Sequence, residues 1–172
     1  IKARDTTSRV REANPDFPDA PPPGEDLETR TFALGIHVYW DTRDDLEDTS
    51  SGFLADFTAD FYDDAIGSDL DYRIYTAAVN GYFRLNADGV LATRLFGRFA
   101  YGDVPFYDLS LYGREADLRG YTTGRWRDKM MFAVQAEYRH RLSRVWGLAA
   151  LAGVGALAPE IDGWKADELL PS

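Results

Sequence analysis

Six stretches of this chain, between residues 31 and 155, alternate apolar and polar side chains with a period of two. Successive side chains of a strand point to opposite sides, so each stretch predicts a strand with one apolar and one polar face. The first places Phe32, Leu34, Ile36, Val38 and Trp40 opposite Thr31, Gly35, His37 and Tyr39. The second sets Phe53, Ala55, Phe57, Ala59 and Phe61 against Leu54, Asp56, Thr58 and Asp60. Tyr75, Ala77, Val79, Gly81, Phe83 and Leu85 follow, opposed by Thr76, Asn80, Tyr82 and Arg84. The fourth pairs Leu91, Thr93, Leu95, Gly97, Phe99 and Tyr101 with Ala92, Arg94 and Arg98. Met130, Phe132, Val134, Ala136 and Tyr138 then oppose Lys129, Gln135, Glu137 and Arg139. The last has Trp146, Leu148, Ala150, Ala152 and Val154 opposite Gly147, Ala149, Gly153 and Gly155. Each runs roughly 9–14 residues, near the length a tilted strand needs to cross a bilayer.

The connections differ in length. Asn86-Ala87-Asp88-Gly89 is a tight hairpin turn and residues 141–144 make another, whereas 63–71 and 102–128 are long. Short turns at one end and long loops at the other match an outer-membrane barrel, the short ones being periplasmic. The turn 41–51, of about ten residues, fits that pattern less well.

Alternation alone leaves open which face points inward, since a lipocalin-like barrel or a sandwich shows the same period inside out. Two features favour apolar-out. Trp40, Phe83 and Trp146 fall toward the short-turn end, and Phe61, Tyr75, Phe99 and Tyr101 toward the long-loop end, as two interfacial girdles would. The polar face also carries Asp56, Arg94, Arg98, Gln135, Glu137 and Arg139 at mid-strand depth, where they can face a lumen.

Composition narrows the partners. A net charge of −10 over 172 residues argues against nucleic acid, because little is available to neutralise phosphates. There is no cysteine, so disulfide and thiol chemistry are out. No apolar run reaches the roughly 18 residues of a spanning helix, and the mean hydropathy is −0.37. A transmembrane barrel hides from that average, because only one face of each strand is apolar. Residues 1–30, rich in charge and proline, predict a polar linker or loop.

No motif carries enzyme chemistry. His37 and His140 lie far apart without metal-ligand spacing, and the acidic runs at 41–48 and 63–71 lack a calcium-loop layout, so solvated loop charge is the reading. Glu137 has no nucleophile pattern nearby, and Gly153-Val154-Gly155 sits inside a strand and opens no helix. The expectations are no catalytic, metal or cofactor site. The fold expected is all-β, an antiparallel transmembrane β-barrel of the outer-membrane type. This chain would supply about six of its strands, within residues 31–172, including the long loop 102–128.

In that loop, Asp117-Leu118-Arg119-Gly120-Tyr121 resembles a loop tip of the BamA/TamA family of outer-membrane assembly barrels, the bacterial surface antigen family. Asp41-Thr42-Arg43-Asp44 with Gly52-Phe53, Val90 to Arg94 with Gly102 to Phe106, Gly124 to Asp128, and Gln135 to Arg139 resemble further stretches of that family, in order. The resemblance covers residues 31–158. It implies that Arg119, with Gly120 and Tyr121 at the tip, reaches into the lumen and is held by Glu137, beside Arg139. The family's second acidic partner is replaced here, since the matching run reads Leu151-Ala152-Gly153-Val154-Gly155. About six strands are fewer than the eight of the smallest membrane barrels, so an internal piece of a larger barrel is expected.

The function implied is non-enzymatic insertion, assembly or translocation of proteins at the outer membrane of a Gram-negative bacterium. Its partners would be outer-membrane lipid, client outer-membrane or exported proteins and periplasmic accessory proteins. The alternatives are the membrane anchor of a fused enzyme such as a patatin-like lipase, a passive outer-membrane pore, and a soluble β-domain.

Overall fold

The structure, a computed structural model, describes residues 2–9, 26–111, 126–164 and 169–171. The strands are β1 (Lys2–Arg9), β2 (Asp26–Asp41), β3 (Gly52–Tyr62), β4 (Tyr72–Arg84), β5 (Gly89–Gly102), β6 (Ser110–Leu111), β7 (Arg127–Asp128), β8 (Met130–Arg141), β9 (Gly147–Ala158) and β10 (Leu170–Pro171). Eight form one sheet in the order β1-β2-β3-β4-β5-β8-β9-β10, every pairing antiparallel. Neighbours in the sheet are neighbours in sequence except where β6 and β7 form a separate small ribbon. The protein is all-β, with short 3₁₀ turns at Asp64–Ile66 and Phe106–Asp108. Among the described residues no helix is long and apolar enough to cross a membrane.

The six long strands are those predicted by alternation, and their register keeps the two faces apart. One rung runs Trp40, Ala55, Val79, Leu95, Val134 and Val154; the next runs Val38, Phe57, Ala77, Gly97, Phe132 and Ala156. A one-residue slip anywhere would turn a strand's apolar set to the other side. This apolar face is exposed: Trp40 is 70 %, Leu95 53 %, Val134 42 % and Phe57 40 % accessible. Apolar surface in water costs roughly 25 cal/mol per Å² relative to burial, so a continuous exposed band of this kind demands an apolar environment.

Small residues on that face make room for rings. Gly81 lies between Phe53 and Phe83, whose centroids meet edge-on at 5.6 Å, and a Cβ there would come within 3.1 Å of each ring. Phe61, Tyr75 and Tyr101 make a chain of edge contacts at the long-loop end, at 5.9 and 6.1 Å. Both predicted aromatic rows therefore lie on the exposed face.

What is buried lies mostly under the long-loop end. On the polar face, Tyr72, Ile74 and Ala100 pack with Tyr62, Leu70 and Val104, and Met131 and Ala133 with Phe96, Leu157 and Leu170.

The sheet is open, with β1 and β10 as its edges among the described residues. One expectation is corrected. Strand structure does not begin at residue 31: β2 starts at Asp26, and Lys2–Arg9 pairs with it along eight residues. Backbone pairing needs no apolar period, and β1 is polar at every position but Ala3. The proline-bearing residues 10–25 lie outside the described residues.

Candidate functional site

The second face of the sheet gathers the polar residues singled out from sequence. Asn80, Arg94 and Gln135 form one rung of β4, β5 and β8, and Arg84, Val90 and Arg139 another nearer the short turns. Asp56 stands on the same face of β3, Glu137 on β8 opposite Ala92, and Arg98 on β5 opposite Thr76. Asp56, Arg94, Arg98, Gln135, Glu137 and Arg139 thus share one side. The tip residues Arg119, Gly120 and Tyr121 lie outside the described residues.

Mid-face contacts are local and polar. Asp56 Oδ2 lies 2.8 Å from His37 Nε2, across the β2–β3 ladder. Arg94 donates to Asn80 Oδ1 at 3.1 Å while its guanidinium lies 5.4 Å from the Phe96 ring centre. Glu137 accepts from Arg139 Nε at 2.5 Å, two residues along the same strand, where side chains share a face. A hollow of about 180 Å³ is lined by Asn80, Arg94, Glu137 and Arg139, and by Gln135, Tyr82 and Leu151. It offers charge and hydrogen bonds in a row, with no nucleophile set against a base.

At the long-loop end the loop bends over this face. Gly102, at φ +93°, turns the chain out of β5, and a Cβ there would crowd the Asp71 backbone. Asp108 then accepts from the Tyr72 hydroxyl at 2.7 Å, and Tyr72 stacks on Tyr62 at 3.9 Å. Ser110, 1 % exposed, accepts from Arg98 Nη1 at 3.1 Å and donates to the Lys129 carbonyl at 3.2 Å. The β6–β7 ribbon, Ser110 with Asp128 and Leu111 with Arg127, closes the base of the loop. The described parts of 102–128 therefore rest on the polar face, and Arg98 is a mid-face residue that meets them.

At the other end the turn 42–51 is longer than a hairpin needs, and it uses the extra residues to fold on itself. Arg43 grips Asp41 with two bonds, Nε to Oδ1 at 2.9 Å and Nη2 to Oδ2 at 2.7 Å. Asp44 accepts the Ser50 hydroxyl and the N–H groups of Ser50 and Ser51, at 2.9 and 3.0 Å. These bonds, the Ser50 hydroxyl first, hold its carboxyl well below the usual carboxylate range. Asp45 accepts from the N–H groups of Asp48 and Glu47, the former first, which lowers its carboxyl as well. The folded turn then reaches sideways: Asp44 pairs with Arg84 at 3.6 Å and Asp48 with Arg141 at 3.0 Å.

Sequence reasoning read residues 41–48 as solvated charge and missed this bracing. The signal available was the turn's length, together with arginine as the last residue of both β4 and β8. The acidic residues of the other connection, Asp63, Asp64 and Asp71, are exposed, and two of them cap loop N–H groups, those of Ala65 and Asp64.

A comparison with protein-family models matches residues 2–157 to the Omp85 superfamily domain. No curated protein matches the chain. The matched span takes in the six long strands and the loop base, and it agrees with the resemblance to BamA/TamA barrels. With an antiparallel sheet that exposes one apolar face and lines the other with ionic residues, this chain belongs to the Omp85 superfamily, a family of outer-membrane insertion and translocation proteins.

Proposed function

We propose that this chain is part of an outer-membrane β-barrel of a Gram-negative bacterium that inserts, assembles or translocates proteins without enzymatic chemistry. The observation that carries the reading is the exposed apolar band of β2, β3, β4, β5 and β8, opposite a face of paired ionic groups. Hydrocarbon satisfies the band, and an aqueous interior satisfies the ionic groups. The partners are outer-membrane lipid, client outer-membrane or exported proteins, and periplasmic accessory proteins.

Within that reading the loop 102–128 docks into the interior, and its tip, Arg119-Gly120-Tyr121, reaches the Glu137–Arg139 pair. Support comes from the loop base, which Arg98 and Tyr72 draw onto the polar face. Arg119 would then compete with Arg139 for the Glu137 carboxylate, and Gln135, Arg94 and Asp56 would line the wetted wall around it. Such a dock fixes barrel shape while client strands are handled elsewhere on the rim.

Arg119→Ala in the full-length protein tests this. The expected result is slower client assembly in reconstituted vesicles and a less heat-stable barrel on gels. Assembly and stability both equal to wild type would remove the docked loop from the account.

A further inference from the structure

We propose that the turn 42–51 is a hinged hatch over the short-turn mouth of the barrel, stiff within itself and fastened, among the described residues, to the ends of β4 and β8 by solvent-exposed side-chain pairs. The inference rests on the barrel reading above, because it takes the polar face as the wall of an aqueous interior.

Stiffness comes from the turn's own bonds. Beyond the Arg43 grip on Asp41 and the three bonds to Asp44, the Thr49 hydroxyl donates to the Asp45 carbonyl at 2.6 Å, with Thr49 only 4 % exposed. The hinge lies where the turn leaves the sheet. Thr42 donates its N–H to the Phe53 carbonyl at 2.8 Å and accepts from Phe53 N–H at its hydroxyl, and Gly52 stands between the turn and β3 at φ +106°.

The fasteners are of a different kind. Asp48 and Arg141 are 79 % and 61 % exposed at their side chains, and Asp44 and Arg84 34 % and 58 %. Ser50, inside the turn, also accepts from Arg84. Exposed pairs hold weakly and are screened by salt, whereas the bonds inside the turn lie within one short segment and move with it. Between turn and wall lies a hollow of about 660 Å³ lined by Asp44, Asp48, Arg84, Arg139, Arg141 and Trp146. A unit with strong internal bonds, a glycine at its hinge and two weak clasps swings as a body. When the clasps open, the mouth widens and Arg84 and Arg141 face water.

The test uses paired spin labels at Leu46→Cys and Leu142→Cys in the full-length protein in lipid nanodiscs. Both sites are open, at 74 % and 63 % exposure, and residues 1–172 contain no other cysteine. The hatch predicts a short label distance at low ionic strength. A longer population should grow about two- to fivefold in roughly 0.5 M salt, and equally in Arg141→Gln or Asp48→Asn at low salt. A single distance, unchanged by salt and by both substitutions, overturns the hatch. Client assembly by the same preparations reads the function separately. A fixed distance with intact assembly removes only the hatch, and a moving turn in a protein that assembles no client removes only the functional reading.

Discussion

Arg141, the last residue of β8, donates to Asp48 of the β2–β3 turn at 3.0 Å, 93 residues away in sequence. β3 and β8 are separated by β4 and β5, so the turn reaches over three strand spacings, about 14 Å. A connection that reaches so far ties the short-turn end of the sheet together from its two sides. The turn's internal bonding and its reach are two consequences of the same ten residues.

Gly52 is the position where that turn is least tolerant. Its φ of +106° and the Thr42 carbonyl beside its hydrogen leave no room for a side chain. Gly52→Ala should lower barrel stability by about 1–3 kcal/mol. The check is urea unfolding in detergent or vesicles, read on β-sheet circular dichroism. An unchanged midpoint would show that the turn is looser than its bonds suggest.

The acid limit of the turn follows from Asp44. Its carboxyl is lowered by the Ser50 hydroxyl and by the N–H groups of Ser51 and Ser50, so its contribution is present above the unfolded carboxylate value of about 3.9. It is lost as pH falls through the lower folded value. The turn should therefore stay closed across pH 5–8 and loosen only below about pH 4. Amide exchange at Ser50 and Ser51 measures this. Asp44→Ala, which removes the acceptor of both N–H groups, should leave both amides fast at every pH.

Arg98 and Ser110 make the corresponding prediction at the opposite end. Ser110 is buried and accepts from the guanidinium, so Arg98→Ala leaves it without that donor. A loss of about 1–2 kcal/mol is expected, with faster amide exchange at Ser110 and Leu111 and little change at Thr42 or Phe53. Uniform loss over both ends would mean that Arg98 holds the sheet and not the loop base.

The two faces should respond oppositely to charge. Leu95→Arg, on the exposed apolar face, should cost about 2–4 kcal/mol in a bilayer. Ala78→Arg, on the polar face of the neighbouring strand and opposite Asp56, should cost about 0.5 kcal/mol or less. Refolding yield into vesicles ranks the two.

The long strands and their faces were legible because each lies with one side apolar, and a period of two survives in Leu34 to Trp40 as it does in Met130 to Tyr138. β1 was not, because its residues are nearly all polar and a polar hairpin carries no period. The apolar patches on the polar face were hidden for another reason: loop residues Leu70 and Val104 pack on Tyr72 and Ile74, and Leu170 of β10 on Met131, and which distant segment folds where is not written in alternation. The same holds for Asp44 and Asp48, whose partners sit on strands far away in sequence. Of the candidate residues, Asp56, Arg94, Arg98, Gln135, Glu137 and Arg139 came together on one side because strand parity alone decides that. The Arg119 tip depends on a loop path, which parity does not reach.

The central claim is that between residues 76 and 80 of β4 the odd-numbered positions meet lipid and the even-numbered ones meet water. Single spin labels at positions 76 to 80 of the reconstituted full-length protein test it directly, by comparing collision with oxygen and with a water-soluble nickel chelate. The account predicts oxygen maxima at Ala77 and Val79 and chelate maxima at Thr76, Ala78 and Asn80. The reverse alternation, or chelate access at every position, would contradict it.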